Sequence, residues 1–180
     1  MKQTVKLKTA ILSFALVAGL AWPASAQDAP ALPGGASSLT ETYGDWRVAC
    51  QLVEEAKHCV MSQQQLRQDG QRVVAIELQT GPDAALMGHL VLPFGLQLDA
   101  GATLQVDEQP AMAPLSFHTC FPVGCVVRVS LDTEALTALR AGTKLKVALR
   151  TADTGQDFLI SVSLNGFTAA LERVTNLSAS

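Results

Sequence analysis

A mainly β fold is what this sequence predicts: a β-sandwich or partly closed barrel of about eight short strands, with one or two short helices and two local disulfides. Three observations point there. Apolar and polar residues alternate with period two along most of residues 43–174. Gly, Pro and Asp-Gly punctuation cuts that alternation into short runs. Four cysteines fall in two close pairs, Cys50 with Cys59 and Cys120 with Cys125. A mixed α+β sheet is the alternative, because one sequence does not fix strand order.

The elements follow in order. Trp46, Val48, Cys50 and Leu52 share one face of a half-buried strand, and Asp45, Arg47, Ala49 and Gln51 the other. Residues 58–66 and 72–79 read as two strands around the Asp69-Gly70 turn, a hairpin signal. Residues 86–92 and 103–107 are further strands, separated by Pro93, Gly95 and Gly101. Residues 115–119 lead into Cys120-Phe-Pro-Val-Gly-Cys125, and alternation resumes at Cys125, Val127, Val129 and Leu131. Leu145, Val147 and Leu149, then Phe158, Ile160, Val162 and Leu164, mark the last strands. One helix interrupts them: Asp132 caps it, Glu134 suits the positive end of its dipole, Arg140 lies in the last turn, and Gly142 is placed for a left-handed C′ position. A second helical turn is expected over 165–171.

The ends read differently. Lys2, Lys6 and Lys8 precede an apolar stretch from Ala10 to Trp22, and Ala24-Ser25-Ala26 fits a signal cleavage site before Gln27. The run is shorter than the roughly 18–20 residues a membrane-spanning helix needs. The expected organisation is therefore a signal peptide at 1–26, a flexible leader at 27–42, a single β-rich domain at 43–174 and a disordered tail at 175–180. No transmembrane segment is expected in the mature chain.

Composition excludes some functions. Loss of three lysines with the signal moves the formal charge from −3 to about −6. Nucleic-acid binding needs clustered positive charge, so nucleic acid is not an expected partner. In an oxidising compartment the cysteine pairs read as structural disulfides, Cys50–Cys59 and Cys120–Cys125 being the local pairing of the three connectivities available. No C-x-x-C or C-x-x-C-H motif supports redox or haem chemistry.

No catalytic, cofactor-binding or metal-binding residues are assigned. His58, His89 and His118 have no nucleophile motif beside them. Met87-Gly88-His89 and His58-x-x-Met61 supply thioether and imidazole groups, so a periplasmic small-ligand or metal carrier is the alternative function; an enzyme with an unrecognised site is the second. Methionine in an apolar strand more often fills the core. Gln63, Gln64 and Gln65 read as a solvated face with one buried, hydrogen-bonded member, and Trp46 as a core residue against a disulfide. Phe121 and Val123, between Cys120 and Cys125, are the candidate contact surface; the competing reading packs both inward.

The ordered motifs carry a resemblance. Gly44-Asp-Trp46-Arg-Val-Ala-Cys50 and Cys59-Val-Met61-Ser-Gln63 open the domain, and Leu92-Pro93-Phe-Gly95 and Gly101-x-x-Leu104-x-Val106-Asp107 follow. Phe117-x-x-Cys120-x-x-x-Gly124-Cys125 and Ser163-Leu164-Asn-Gly166-Phe167-Thr-Ala-Ala-Leu171 complete the series. It resembles the invasion-associated locus B family of bacterial envelope proteins. That resemblance implies an exported Gram-negative protein, periplasmic or else outer-membrane associated or secreted, of a family associated with host-cell invasion in some pathogens. It supplies no catalytic residues. The expected function is a non-enzymatic module of the cell envelope that binds an unidentified protein or envelope component.

Overall fold

The computed structural model describes residues 31–54, 56–82 and 85–179; the signal-peptide expectation lies outside them. Ten strands form two antiparallel sheets, with two α-helices. The strands are β1 (Ser38–Tyr43), β2 (Trp46–Val53), β3 (Ala56–Leu66), β4 (Arg72–Thr80), β5 (Leu86–Leu92), β6 (Thr103–Val106), β7 (Phe117–Phe121), β8 (Gly124–Leu131), β9 (Lys144–Arg150) and β10 (Asp157–Ser163). The helices are α1 (Thr133–Ala141) and α2 (Phe167–Ala179). A seven-stranded sheet runs β1-β2-β3-β4-β5-β8-β7, and a three-stranded sheet runs β10-β9-β6.

Alternation decides which face is which. Trp46, Val48 and Cys50 of β2 are buried, as are Cys59 and Met61 of β3, Val74, Ile76 and Leu78 of β4, and Val127, Val129 and Leu131 of β8. These inward residues form one cluster with Leu145, Val147 and Leu149 of β9, Ile160 and Val162 of β10, and Phe167, Ala170, Leu171 and Val174 of α2. The small sheet and α2 thus cover one face of the large sheet, α2 lying mainly on β2 and β3. Among the described residues, no element packs over the other face.

Both cysteine pairs are disulfides among directly opposed strand residues, Cys50–Cys59 across β2 and β3 and Cys120–Cys125 across β7 and β8. The second closes a hairpin tip. The first lies inside its ladder, with three residue pairs between it and the turn.

The chain departs from the sequence reading at several places. β1 starts at Ser38, within the stretch read as a leader, and Leu32 is buried in the core. Leu39 and Tyr43 pack against that core at alternate positions, a period-two pattern diluted by the small and polar residues around it. At the other end α2 continues through Thr175 to Ala179, held by buried Val174 and Leu177. The strand that the sequence reading did not include is β1, and the described residues hold ten strands where about eight are expected.

The first helix has the expected cap: the Ala135 N–H donates to Asp132 Oδ1 at 2.9 Å. Gly142 does not take a left-handed conformation, its φ being −84°. Its small size serves another purpose, because a Cβ there would strike Val106 Cγ1.

Candidate functional site

The two ends of the domain lock together beside the open sheet face. Trp46 meets Phe167 edge-to-face, with ring centroids 5.2 Å apart, and its Nε1–H donates to the Ser163 carbonyl at 3.0 Å. Phe167 of α2, not a disulfide alone, is therefore the partner that completes the tryptophan's packing. The Asp45 N–H donates to the Asn165 carbonyl at 3.1 Å, and Ser163 Oγ–H to Asp45 Oδ2 at 2.6 Å. Gly166 has φ 84°, and a Cβ on it would collide with the Tyr43 carbonyl oxygen, so both its conformation and its contact require glycine.

Of the three consecutive glutamines, Gln63 is the buried one, at 7% exposure. Its amide accepts from the Ser163 N–H at 3.1 Å and donates to the Ser163 carbonyl at 3.0 Å. Gln65 donates to the Ser161 carbonyl at 2.6 Å. The two side chains, both projecting from β3, satisfy the free edge of β10 and tie the small sheet to the large one. Gln64 faces out.

The outward face of the large sheet carries an aligned polar row. Thr42 opposes Arg47, Arg47 opposes Ser62, and Ser62 opposes Glu77. Glu77 opposes His89, and His89 opposes Arg128. The row crosses six adjacent strands, and His118 of β7 extends it, with Arg128 Nη2 2.8 Å from His118 Nε2. Arginine can only donate, so in this contact the His118 nitrogen is the acceptor.

The row floors an open trough of about 780 Å³, with Asp45, Arg72 and Phe121 among its other lining residues. Phe121 and Val123 are 53% and 59% exposed on the β7–β8 tip. The Val123 carbonyl lies 3.5 Å from Arg72 Nη1, which brings the tip to the β3–β4 hairpin. Of the residues singled out for thioether or imidazole chemistry, Met61 is fully buried and His58 opposes Gln51, away from His89, which opposes Glu77; Met87 and His89 share one face of β5 two residues apart. Among the described residues, no three His, Cys, Asp or Glu side chains are grouped to hold a metal ion. No helix among them is long and apolar enough to cross a membrane.

The sequence marks the disulfides and the hairpin that one of them closes, and does not mark the trough. The outward residues of each strand were legible one strand at a time; their alignment depends on register between strands distant in sequence.

Fold and face together define a class: a disulfide-stapled antiparallel β scaffold that buries one sheet face and presents the other as a mixed surface crossed by a polar row. Comparison with known proteins places it further. The family model described as Invasion associated locus B (IalB) protein matches residues 46–175, and the chain belongs to that family. An Invasion protein B homolog of Brucella abortus (strain 2308) is 43% identical over 151 residues, covering 83% of this chain and 87% of the relative. Invasion protein B of Bartonella bacilliformis is 36% identical over 148 residues, covering 81% and 80%. The crystal structure of invasion associated protein b from Bartonella henselae has a TM-score of 0.74 at 36% identity, covering 78% of this chain and 97% of that one.

Proposed function

We propose that this protein is a non-enzymatic, exported envelope protein that binds a protein or another envelope component, through the Cys120–Cys125 tip and the adjoining outward sheet face. The signal at 1–26 directs export, cleavage precedes Gln27, and the mature protein resides in the periplasm. The Brucella and Bartonella relatives carry the name Invasion protein B, which supports linking this role to invasion.

One observation carries this reading. Phe121 and Val123 stand exposed on a hairpin tip whose conformation is fixed covalently, next to a sheet face, crossed by a polar row, that the rest of the fold leaves uncovered. A rigid apolar tip loses little conformational freedom on binding, which favours association. The motif series is absorbed in scaffold: Trp46, Gly166 and Phe167 hold the domain's ends together, and the cysteines staple strands.

The test places a photo-crosslinking amino acid at position 123, or at position 153 in the β9–β10 turn, in the native envelope. A discrete partner is expected from position 123 and not from 153. Phe121→Ala with Val123→Ala weakens that capture and leaves the thermal midpoint nearly unchanged. A large loss of stability with intact capture contradicts the role given to the tip. Terminal sequencing of the envelope-located protein, expected to begin at Gln27, tests the export reading.

A further inference from the structure

The described residues hold both paired and unpaired cationic side chains. Arg140, Arg150 and Arg173 each pair with a carboxylate, as does Lys146. Arg47 and Arg128 of the row form no ion pair among the described residues, although Glu77 lies in the same row and also has none. Arg128 is instead held by His118, which fixes its side chain without neutralising it. A chain of net negative charge thus keeps Arg47 and Arg128 exposed and outside any ion pair among the described residues, and Arg72 is a third such guanidinium at the side of the trough.

Register gives their spacing. Arg47 lies on β2, Glu77 on β4 and Arg128 on β8, with one strand between each neighbouring pair. At about 4.8 Å per strand, Glu77 sits about 10 Å from each arginine, and the arginines are about 19 Å apart. The order is positive, negative, positive. A continuous polyanion would meet Glu77 at its midpoint and be repelled there. A polyproline-II peptide rises about 3.1 Å per residue with three residues per turn, so its positions i, i+3 and i+6 lie on one side at about 9 Å intervals. A β-strand of the same length would turn its i+3 side chain away from Glu77.

We propose that this row binds an extended peptide segment of a partner protein in polyproline-II conformation, with acidic residues at i and i+6 on Arg47 and Arg128 and a basic residue at i+3 on Glu77. The assignment rests on the binding-module reading and names the chemistry of its ligand. Guanidinium groups suit the carboxylate ends through paired hydrogen bonds.

The probe is a fluorescein-labelled peptide with glutamate at its second and eighth positions, lysine at its fifth, and proline and alanine elsewhere. Binding to the mature, disulfide-intact protein is read by anisotropy. Saturable binding is expected, weakening as salt rises from about 50 to 500 mM. Arg47→Glu and Arg128→Glu each weaken it by about tenfold. A probe with lysine replacing one glutamate prefers the Arg47→Glu protein to the unaltered one. Arg47→Gln and Arg128→Gln give the same order of effects at smaller size, and serve if a reversal lowers the thermal midpoint.

No binding up to about 1 mM peptide, or binding indifferent to both arginines, overturns the proposal. So does co-sedimentation with phosphatidylglycerol vesicles that depends on these arginines while the peptide fails to bind. Crosslinking from position 123 without probe binding removes the peptide assignment and leaves the binding-module reading; probe binding without envelope capture does the reverse.

Discussion

The side-chain amide of Gln63 pairs with both backbone polar groups of Ser163, at 3.1 Å and 3.0 Å, and so takes the place of a neighbouring strand at the edge of β10. Gln63 is the buried polar residue of the core region, and among the described residues no buried side-chain nitrogen or oxygen lacks a partner. The Ser163 carbonyl has a second donor in Trp46 Nε1, whereas Gln63 is the acceptor recorded for its N–H.

Gln63→Leu therefore leaves the Ser163 N–H without its acceptor and should cost about 1–3 kcal/mol of stability. Gln63→Glu should also destabilise, because a carboxylate accepts from the N–H but repels the carbonyl. Urea unfolding with the disulfides intact measures both. A cost below about 0.5 kcal/mol for Gln63→Leu would show that the bridge is not needed.

Phe167→Ala removes the ring against Trp46 and opens a cavity at the junction of α2 with β2. The expected cost is about 3–5 kcal/mol, a large part of a typical stability of about 5–15 kcal/mol. Phe167→Leu should cost less, since it keeps most of the volume. Trp46 is the sole tryptophan after residue 26, so the emission of the mature protein should shift to longer wavelength in the alanine variant. An unchanged spectrum and midpoint would contradict the packing role.

The disulfides should differ in lability under native conditions. Cys50 and Cys59 are both buried, whereas Cys120 is exposed at the hairpin tip. Mild reduction followed by alkylation should label Cys120 and Cys125 first, as read by peptide mass spectrometry. Replacing either pair with alanine should cost about 2–3 kcal/mol on chain-entropy grounds. Simultaneous labelling of all four cysteines would show that burial does not protect the inner bond.

Stability should fall in acid, and Arg173 should set part of the slope. Its hydrogen bonds to Glu41, at 2.7 Å and 2.8 Å, hold the Glu41 carboxyl below its usual 4.5. The Asp107 carboxyl is held below 3.8, chiefly by the Thr143 N–H and next by the Thr143 hydroxyl. A lowered folded-state value means that the unfolded chain binds protons more readily. Each contribution is thus fully present above the unfolded value and lost as pH falls through the folded one. Arg173→Met keeps much of the side chain's bulk and removes the charge, so it should flatten the decline below about pH 4.5. Equal slopes of urea midpoint against pH in the two proteins would contradict this assignment.

Most of the scaffold could be read along the chain because its causes are local. Period-two burial marks β2 and β8 without knowledge of their neighbours, and Asp132 caps α1 through a residue three positions away. β1 was hidden because its inward residues, Leu39, Glu41 and Tyr43, include a carboxylate whose partner, Arg173, lies 132 residues away. The tail was read as disordered because Leu177 looks isolated in a polar stretch until a helix turns it onto the core.

The sequence by itself determined that this is a β-rich domain with two local disulfides, and its ordered motifs pointed to the family. Alternation, turn chemistry and cysteine spacing act over a few residues and leave their mark in linear order. Only the tertiary structure decided what lies beside what: Trp46 against Phe167, Gln63 across the edge of β10, and Arg47, Glu77 and Arg128 in one row. The physical reason is register. A one-residue slip between any two of those strands would keep every local pattern and reverse which residues face each other.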